Sequence, residues 1–241
     1  MAQALVPLKD LVQAKTRLAG LMNSSERRAL AQAMVEDVLG VLCRHPLLEK
    51  VTLVSDDPGA RMLAGKYGAS YLAESSLGSS GLNQVVSAAV DQLLDTAGGT
   101  LLVLHGDLPL LGAADISAVL QCQRESGGLV IGCDRHRRGS NLLAFDERSR
   151  PRFCFGVDSC AAHQRAAEQL GANCSVLYRR GLALDVDEAM DMLELMRALD
   201  EAGEQTGALL RGTELGKRIS LALTAPGGDV HEPAEESRHY D

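Results

Sequence analysis

The chain has 241 residues, of which 46% are hydrophobic, and a mean hydropathy near zero; one sizeable core is within reach, and a fibrous or disordered chain is excluded. A formal net charge of -8 argues against holding nucleic acid by bulk electrostatics and favours a small anionic ligand in a local basic pocket. No run approaches the roughly 18 apolar residues of a membrane span, and the N-terminus lacks a basic segment followed by an apolar one, so a cytoplasmic protein is expected.

Apolar runs of strand length alternate with amphipathic stretches, the pattern of an α/β fold. Ala4 to Leu8 is the first predicted strand. A basic loop with Lys9, Lys15 and Arg17 follows, then a helix with Leu30, Met34, Val38, Val41 and Leu42 at three-to-four spacing, opened by an Asn23/Glu26 capping box. Val51 to Ser55 is a strand, Asp56 to Gly59 a turn, and a short helix ends near Tyr67-Gly68. Ala69 to Leu72 is a brief strand, Glu74 to Gly81 a Ser- and Gly-rich loop, and Leu82 to Leu94 a helix. Thr100 to His105 is the strongest buried-strand signal.

Beyond it the pattern predicts a helix around Asp115 to Gln123, strands at Leu129 to Cys133 and Asn141 to Phe145, and a helix from Ser159 to Leu170. A strand at Cys174 to Tyr178 and a last long helix from about Asp187 to Ala202 complete the order. The expected organisation is one domain over residues 1–224 and a disordered tail over residues 225–241, where Pro, Gly, Glu and His accumulate without periodicity. The cysteines, Cys43, Cys122, Cys133, Cys154, Cys160 and Cys174, lack metal-finger spacing and read as reduced structural thiols.

Asp107 directly follows the buried strand, where open parallel sheets gather ligands, although a helix cap or turn also accounts for an Asp there. Leu184-Asp185-Val186-Asp187-Glu188 has the look of a second strand end before a helix. Its period-two spacing turns Asp185 and Asp187 one way and Val186 toward the core; Asp187 serves equally well as that helix's N-cap. Magnesium shared with substrate phosphates needs only one or two such carboxylates. Lys9, Lys15 and Arg17 suit the charge of a triphosphate, or are incidental solvent-facing cations. No P-loop and no G-x-G-x-x-G is present.

Taken in order, Val6-Pro7-Leu8-Lys9, Ala14-Lys15-Thr16-Arg17-Leu18, Gly81-Leu82-Asn83-Gln84, Gly106-Asp107-Leu108-Pro109-Leu110-Leu111, Gly139-Ser140-Asn141-Leu142-Leu143, Phe155-Gly156 with Ser159 and His163, and Leu184 to Asp187 resemble one family. That family is the 2-phospho-L-lactate guanylyltransferases, the CofC/FbiD group of the nucleotide-diphospho-sugar transferase-like fold, which serve coenzyme F(420) biosynthesis. The resemblance spans roughly residues 4 to 195. It implies a single-domain, mostly parallel twisted sheet flanked by helices, Rossmann-like in style, and an enzyme that moves GMP from GTP to a phosphorylated three-carbon acid.

Under that resemblance Leu5, Val6, Pro7, Lys9, Lys15, Arg17, Asn83 and Gly106 bind the nucleotide, and Lys15, Arg17 and Asp107 form the catalytic set. Asp107, Asp185 and Asp187 are the candidate magnesium ligands. Ser140, Asn141, Gly156 and Ser159 surround the acid, with Ser140 standing where the family has Thr, so that a hydroxyl is kept and a methyl lost. Ser159 is alternatively the cap of its own helix. His105 reads as a strand-end residue; His163, one helical turn after Ser159, reads equally as a donor to the acid or its phosphate and as a partly exposed helix residue without a role; neither enters the catalytic set. The partners expected are GTP and a small phosphorylated acid, with no nucleic acid and no membrane, and a homodimer is the oligomer to consider. The rival readings are a molybdopterin guanylyltransferase or sugar-phosphate cytidylyltransferase of the same fold, and a non-catalytic nucleotide-binding module.

Overall fold

The computed structural model describes residues 2–9, 11, 15–97 and 99–224; the expected tail from residue 225 lies outside them. In chain order the elements are β1 (Ala2–Pro7), α1 (Ser24–Cys43), β2 (Leu48–Val54), α2 (Ala60–Tyr67), β3 (Ser70–Leu72), α3 (Leu82–Ala97), β4 (Thr100–Leu104), α4 (Ala113–Ser126), β5 (Leu129–Cys133), β6 (Ser140–Phe145), α5 (Ser159–Leu170), β7 (Cys174–Leu177), α6 (Arg180–Ala183), α7 (Ala189–Arg197), α8 (Glu204–Leu210) and α9 (Glu214–Thr224). Short 3-10 turns occupy Thr16–Leu18, Glu74–Leu77 and Leu199–Glu201.

The strands form one sheet in the order β3-β2-β1-β4-β6-β5-β7. All neighbours are parallel except β6, which runs antiparallel to both β4 and β5. Because β2 and β3 extend from one side of β1 while β4 lies on the other, the chain reverses its direction of winding between β1 and β4. That is the switch point at which open α/β sheets form a ligand crevice.

Alternation along each strand builds a core on each face. Ala4, Val6, Leu102, Leu104, Val130, Leu142 and Ala144 meet α1, α2 and α4, and Leu5, Leu101, Val103, Leu129, Ile131, Leu143 and Phe145 meet α3 and α5. Helix α1 carries the expected capping box, with the Asn23 side chain accepting from Glu26 N and the Glu26 side chain accepting from Asn23 N. Among the described residues all six cysteines are free thiols, and no helix is long and apolar enough to cross a membrane.

Three expectations need correction. The segment before Asp185 is not a strand but the four-residue α6 followed by extended chain. Gly181 in that helix lies so close to α4 that a Cβ would meet the Asp115 carboxylate at 2.0 Å and the Leu110 carbonyl at 2.7 Å. The long helix expected from Asp187 to Ala202 is the shorter α7, capped at Glu188 and ended at Ala198 before the last 3-10 turn.

Two helices, α8 and α9, follow where none was expected. Their glycines suggest helix breakers in sequence, yet Gly216 is required by packing, since a Cβ there would fall 1.9 Å from the Leu210 carbonyl oxygen. A third apolar cluster results, in which Leu18, Met22, Leu30, Met34, Leu110, Leu184, Val186, Met192, Leu195, Leu210 and Ile219 pack together.

Helix α8 has no cap of its own. Asp37 of α1 supplies one across the interface, accepting from Gln205 N at 2.8 Å and Thr206 N at 2.9 Å. Asp37→Ala is expected to lower the unfolding free energy by about 1–2 kcal/mol in urea titration with an unchanged m-value. A loss under about 0.5 kcal/mol would show that α8 does not depend on this cap.

Candidate functional site

The C-terminal ends of β1 and β4 meet at the switch point, and the loops beyond them bring opposite charges together. Lys15, in the loop after β1, adopts a left-handed backbone (φ 57°) that turns its side chain inward until it is only 9% exposed. Its Nζ donates to Asp107 Oδ2 at 2.5 Å and to Asp187 Oδ1 at 2.8 Å. Asp185 stands beside them, its Oδ1 accepting from Asn141 Nδ2 at 3.1 Å.

A common apolar footing explains why segments so distant in sequence converge. Leu18 follows Lys15, Leu110 follows Asp107, and Leu184 and Val186 flank Asp185; all four lie in the third cluster. Val186 N also donates to Asp107 O. Gly106 permits the approach of α1, since a Cβ would meet Val35 Cγ2 at 2.9 Å.

Three carboxylates share one ammonium, and the electrostatics follow from that imbalance. Burial pulls Lys15 down, but Asp107 and Asp187 outweigh it and hold the ammonium above the ordinary lysine value. Burial pushes Asp107 up, and Lys15 more than reverses this, so Asp107 stays ionised. Asp185 has no cation of its own; burial first, then the charges of Asp107 and Asp187, raise it to about 7. Among the described residues Asp107 Oδ1 is buried with no hydrogen-bond partner.

That orphaned oxygen and the uncompensated charge fit a set of residues made to receive further positive charge. Among the described residues, however, no three His, Cys, Asp or Glu side chains are gathered closely enough to hold an ion alone. The cation between Asp107 and Asp187 is Lys15 itself.

The capping explanations for these carboxylates do not hold. Helix α4 has Gly112 at its N-cap and α7 has Glu188, with Asp191 Oδ2 accepting from both Asp187 N and Glu188 N. Asp191 is held in turn by Arg135 at 2.7 Å, a pair that no motif in the chain marks. Arg17 and Lys9 are exposed on the same loop. Leu5 and Val6 are buried in opposite faces of the sheet, so only Pro7 of that strand is partly exposed.

On the far side of Asp185, the residues expected around an acid form a connected chain. Ser159 Oγ accepts from Ser140 N at 2.8 Å, and the Ser140 hydroxyl meets His163 Nδ1 at 3.0 Å. His163 Nε2 accepts from Cys154 N at 2.9 Å; the proton of the neutral ring therefore resides on Nδ1. Ser159 does not cap α5, whose N-cap is Asp158 in a left-handed conformation with no side-chain cap. Gly156, at φ 137°, makes the bend before it.

Asn141 joins this region to the carboxylates, bonding Leu182 O as well as Asp185. His163 is fully buried rather than partly exposed, held by Cys154 and Ser140. The His105 ring stands edge-on to Phe155 at 5.3 Å.

A family model described as guanylyl transferase CofC like matches residues 2–220. The phosphoenolpyruvate guanylyltransferase of Conexibacter woesei is 36% identical over 210 residues, covering 87% of this chain and 93% of that protein. The 3-phospho-D-glycerate guanylyltransferase of Phenylobacterium zucineum is 32% identical over 215 residues, covering 87% and 95%. Among solved structures, a Desulfovibrio desulfuricans protein described as a nucleotide-diphospho-sugar transferase superposes with a TM-score of 0.76 at 18% identity, covering 91% of this chain and 96% of its own. Glucosyl-3-phosphoglycerate synthase from Mycobacterium tuberculosis, solved with Mg2+ and UDP, shares the fold at a TM-score of 0.53 and 12% identity, with 84% and 79% covered.

Burial lowers His163 from the ordinary 6.5 to about 4. Neutral in the folded chain but protonated below about pH 6.5 once unfolded, it draws the equilibrium toward the unfolded state as pH falls between those values. His163→Gln is expected to be less stable than the parent at pH 7, with the gap narrowing by about 2 kcal/mol by pH 5 in urea titrations. Parallel stability profiles for the two proteins would contradict the neutral buried imidazole.

Proposed function

Because the chain belongs to the guanylyl transferase CofC-like family, we propose that it transfers GMP from GTP to a three-carbon phosphorylated acid, releasing pyrophosphate. The observation that carries this reading is the Lys15, Asp107 and Asp187 cluster at the switch point, with Asp185 tied through Asn141 to the segment holding Ser140 and Ser159. Charge that handles phosphates thus adjoins buried polar groups of a second region.

A phosphate oxygen of the acid attacks the α-phosphorus of GTP; the new P–O–P bond forms as the bond to the β-phosphate oxygen breaks, and pyrophosphate leaves. The acceptor phosphate is anionic at neutral pH, so the chain need not supply a general base. In this reading Lys15 and Arg17 offset charge on the departing phosphates, and the apolar footing of the loops limits the reorganisation this needs. Asp107, Asp185 and Asp187 would hold magnesium together with the substrate, and the ion would supply positive charge against the phosphates.

The orphaned Asp107 oxygen, and an Asp185 carboxyl raised to about 7 by burial and by Asp107 and Asp187, support that assignment. The acid is one of 2-phospho-L-lactate, phosphoenolpyruvate and 3-phospho-D-glycerate, and its guanylylated product is a precursor for coenzyme F(420). Phosphoenolpyruvate is the first to test, being the acid named for the relative at 36% identity.

Incubating the protein with GTP, magnesium and each acid in turn, with mass detection of product, tests the proposal. The expected result is one guanylylated acid and stoichiometric pyrophosphate, and a fall in kcat of about 100-fold or more in Asp107→Asn with its circular dichroism retained. No product with any of the three acids, but transfer to a molybdopterin or sugar phosphate, would move the chain to another activity of the same fold.

A further inference from the structure

Residues 151–155 enter no strand or helix, yet Phe153 and Phe155 are buried. Buried backbone outside regular structure must find its hydrogen bonds elsewhere, and here side chains provide them. His163 Nε2 accepts from Cys154 N at 2.9 Å. Asn83, near the start of α3, takes both polar groups of the next residue: its Oδ1 accepts from Phe155 N at 2.7 Å and its Nδ2 donates to Phe155 O at 3.1 Å. A side-chain amide, with its acceptor and donor side by side, can do both at once, imitating a neighbouring strand.

All three phenylalanines of the chain then lock the segment from the side. Phe153 stacks on Phe155 with 3° between ring planes and also meets Phe145, while Phe155 stands edge-on to His163 at 5.0 Å. The residue delivered by this anchored segment is Gly156, whose φ of 137° turns the chain into the exposed Val157 and the start of α5.

We infer that Asn83 is a positioning residue for the acceptor: it fixes the height of the Gly156 bend against the strand end at Ser140, and its amide is engaged with Phe155 rather than with the nucleoside. This rests on the acceptor-side reading of Ser140, Gly156 and Ser159 given above. Asn83→Asp keeps the acceptor for Phe155 N–H but opposes a carboxylate to the Phe155 carbonyl, so the bend shifts while the nucleotide loop after β1 is untouched.

The test combines steady-state kinetics with direct GTP binding by calorimetry on the full chain. In Asn83→Asp the apparent KM for phosphoenolpyruvate, or whichever of the three acids the parent uses, is expected to rise about tenfold or more. GTP affinity measured without acid should stay within about twofold. A loss of GTP affinity equal to or larger than the rise for the acid, or no change in either, overturns the inference.

Should the variant fail to fold, hydrogen exchange on the parent decides instead. Slowed exchange of residues 153–159 by the acid alone supports positioning, and slowing by GTP alone, or by neither substrate, refutes it. Absence of transfer by the parent with every acid would overturn the proposed function itself, and this inference with it.

Discussion

One charge arrangement organises this molecule: the Lys15 ammonium held between Asp107 and Asp187, with Asp185 alongside and uncompensated. Such a group is costly to assemble in a folded chain, because each carboxylate is drawn from water toward others of its sign. The fold accommodates it where two strands end and the winding of the sheet reverses. There the loops are free of sheet hydrogen bonding, and their backbone groups and side chains can turn to a ligand.

What offsets the cost is apolar. Each charged segment contributes a neighbouring residue to the same cluster, formed with the N-terminal half of α1 and the C-terminal helices. The late helices α8 and α9 are therefore part of the site's foundation. Asp37, which caps α8 from α1, and Arg135, which holds the Asp191 cap of α7, extend that foundation by polar links. On the other side, the chain of Asn83, Phe155, His163, Ser140 and Ser159 gives a rigid wall with few groups exposed to water.

Much of the architecture is legible in the residues. Strands buried on both faces read as continuous apolar runs, so Thr100 to Leu104 and Leu129 to Cys133 stand out. The helix Ser159–Leu170 has the expected limits, and Asn23 with Glu26 announces the start of α1. The carboxylates at Asp107, Asp185 and Asp187 and the lysine at position 15 are recognisable by type and order, and the structure brings them together.

Other features arise from tertiary contact and leave little trace in sequence. Gly216 of α9 looks like a break because what requires it is the close approach of the Leu210 carbonyl across the turn between α8 and α9. The burial of His163 depends on Cys154 and Ser140, and the tie of Asn83 to Phe155 spans 72 positions; no local period encodes either. The helix α6 in place of a strand before Asp185 has the same origin, since Gly181 packs against Leu110 and Asp115.

On this account Asp107, Asp185 and Asp187 form a seat for positive charge in which Lys15 is the resident cation. Thermal unfolding of the parent and of Lys15→Met, with magnesium chloride titrated against sodium chloride of equal ionic strength, tests it most directly. Lys15→Met should melt lower without magnesium, and magnesium should raise its midpoint by about 2 °C or more beyond the rise seen in the parent. An equal or smaller response to magnesium in the variant would contradict the claim.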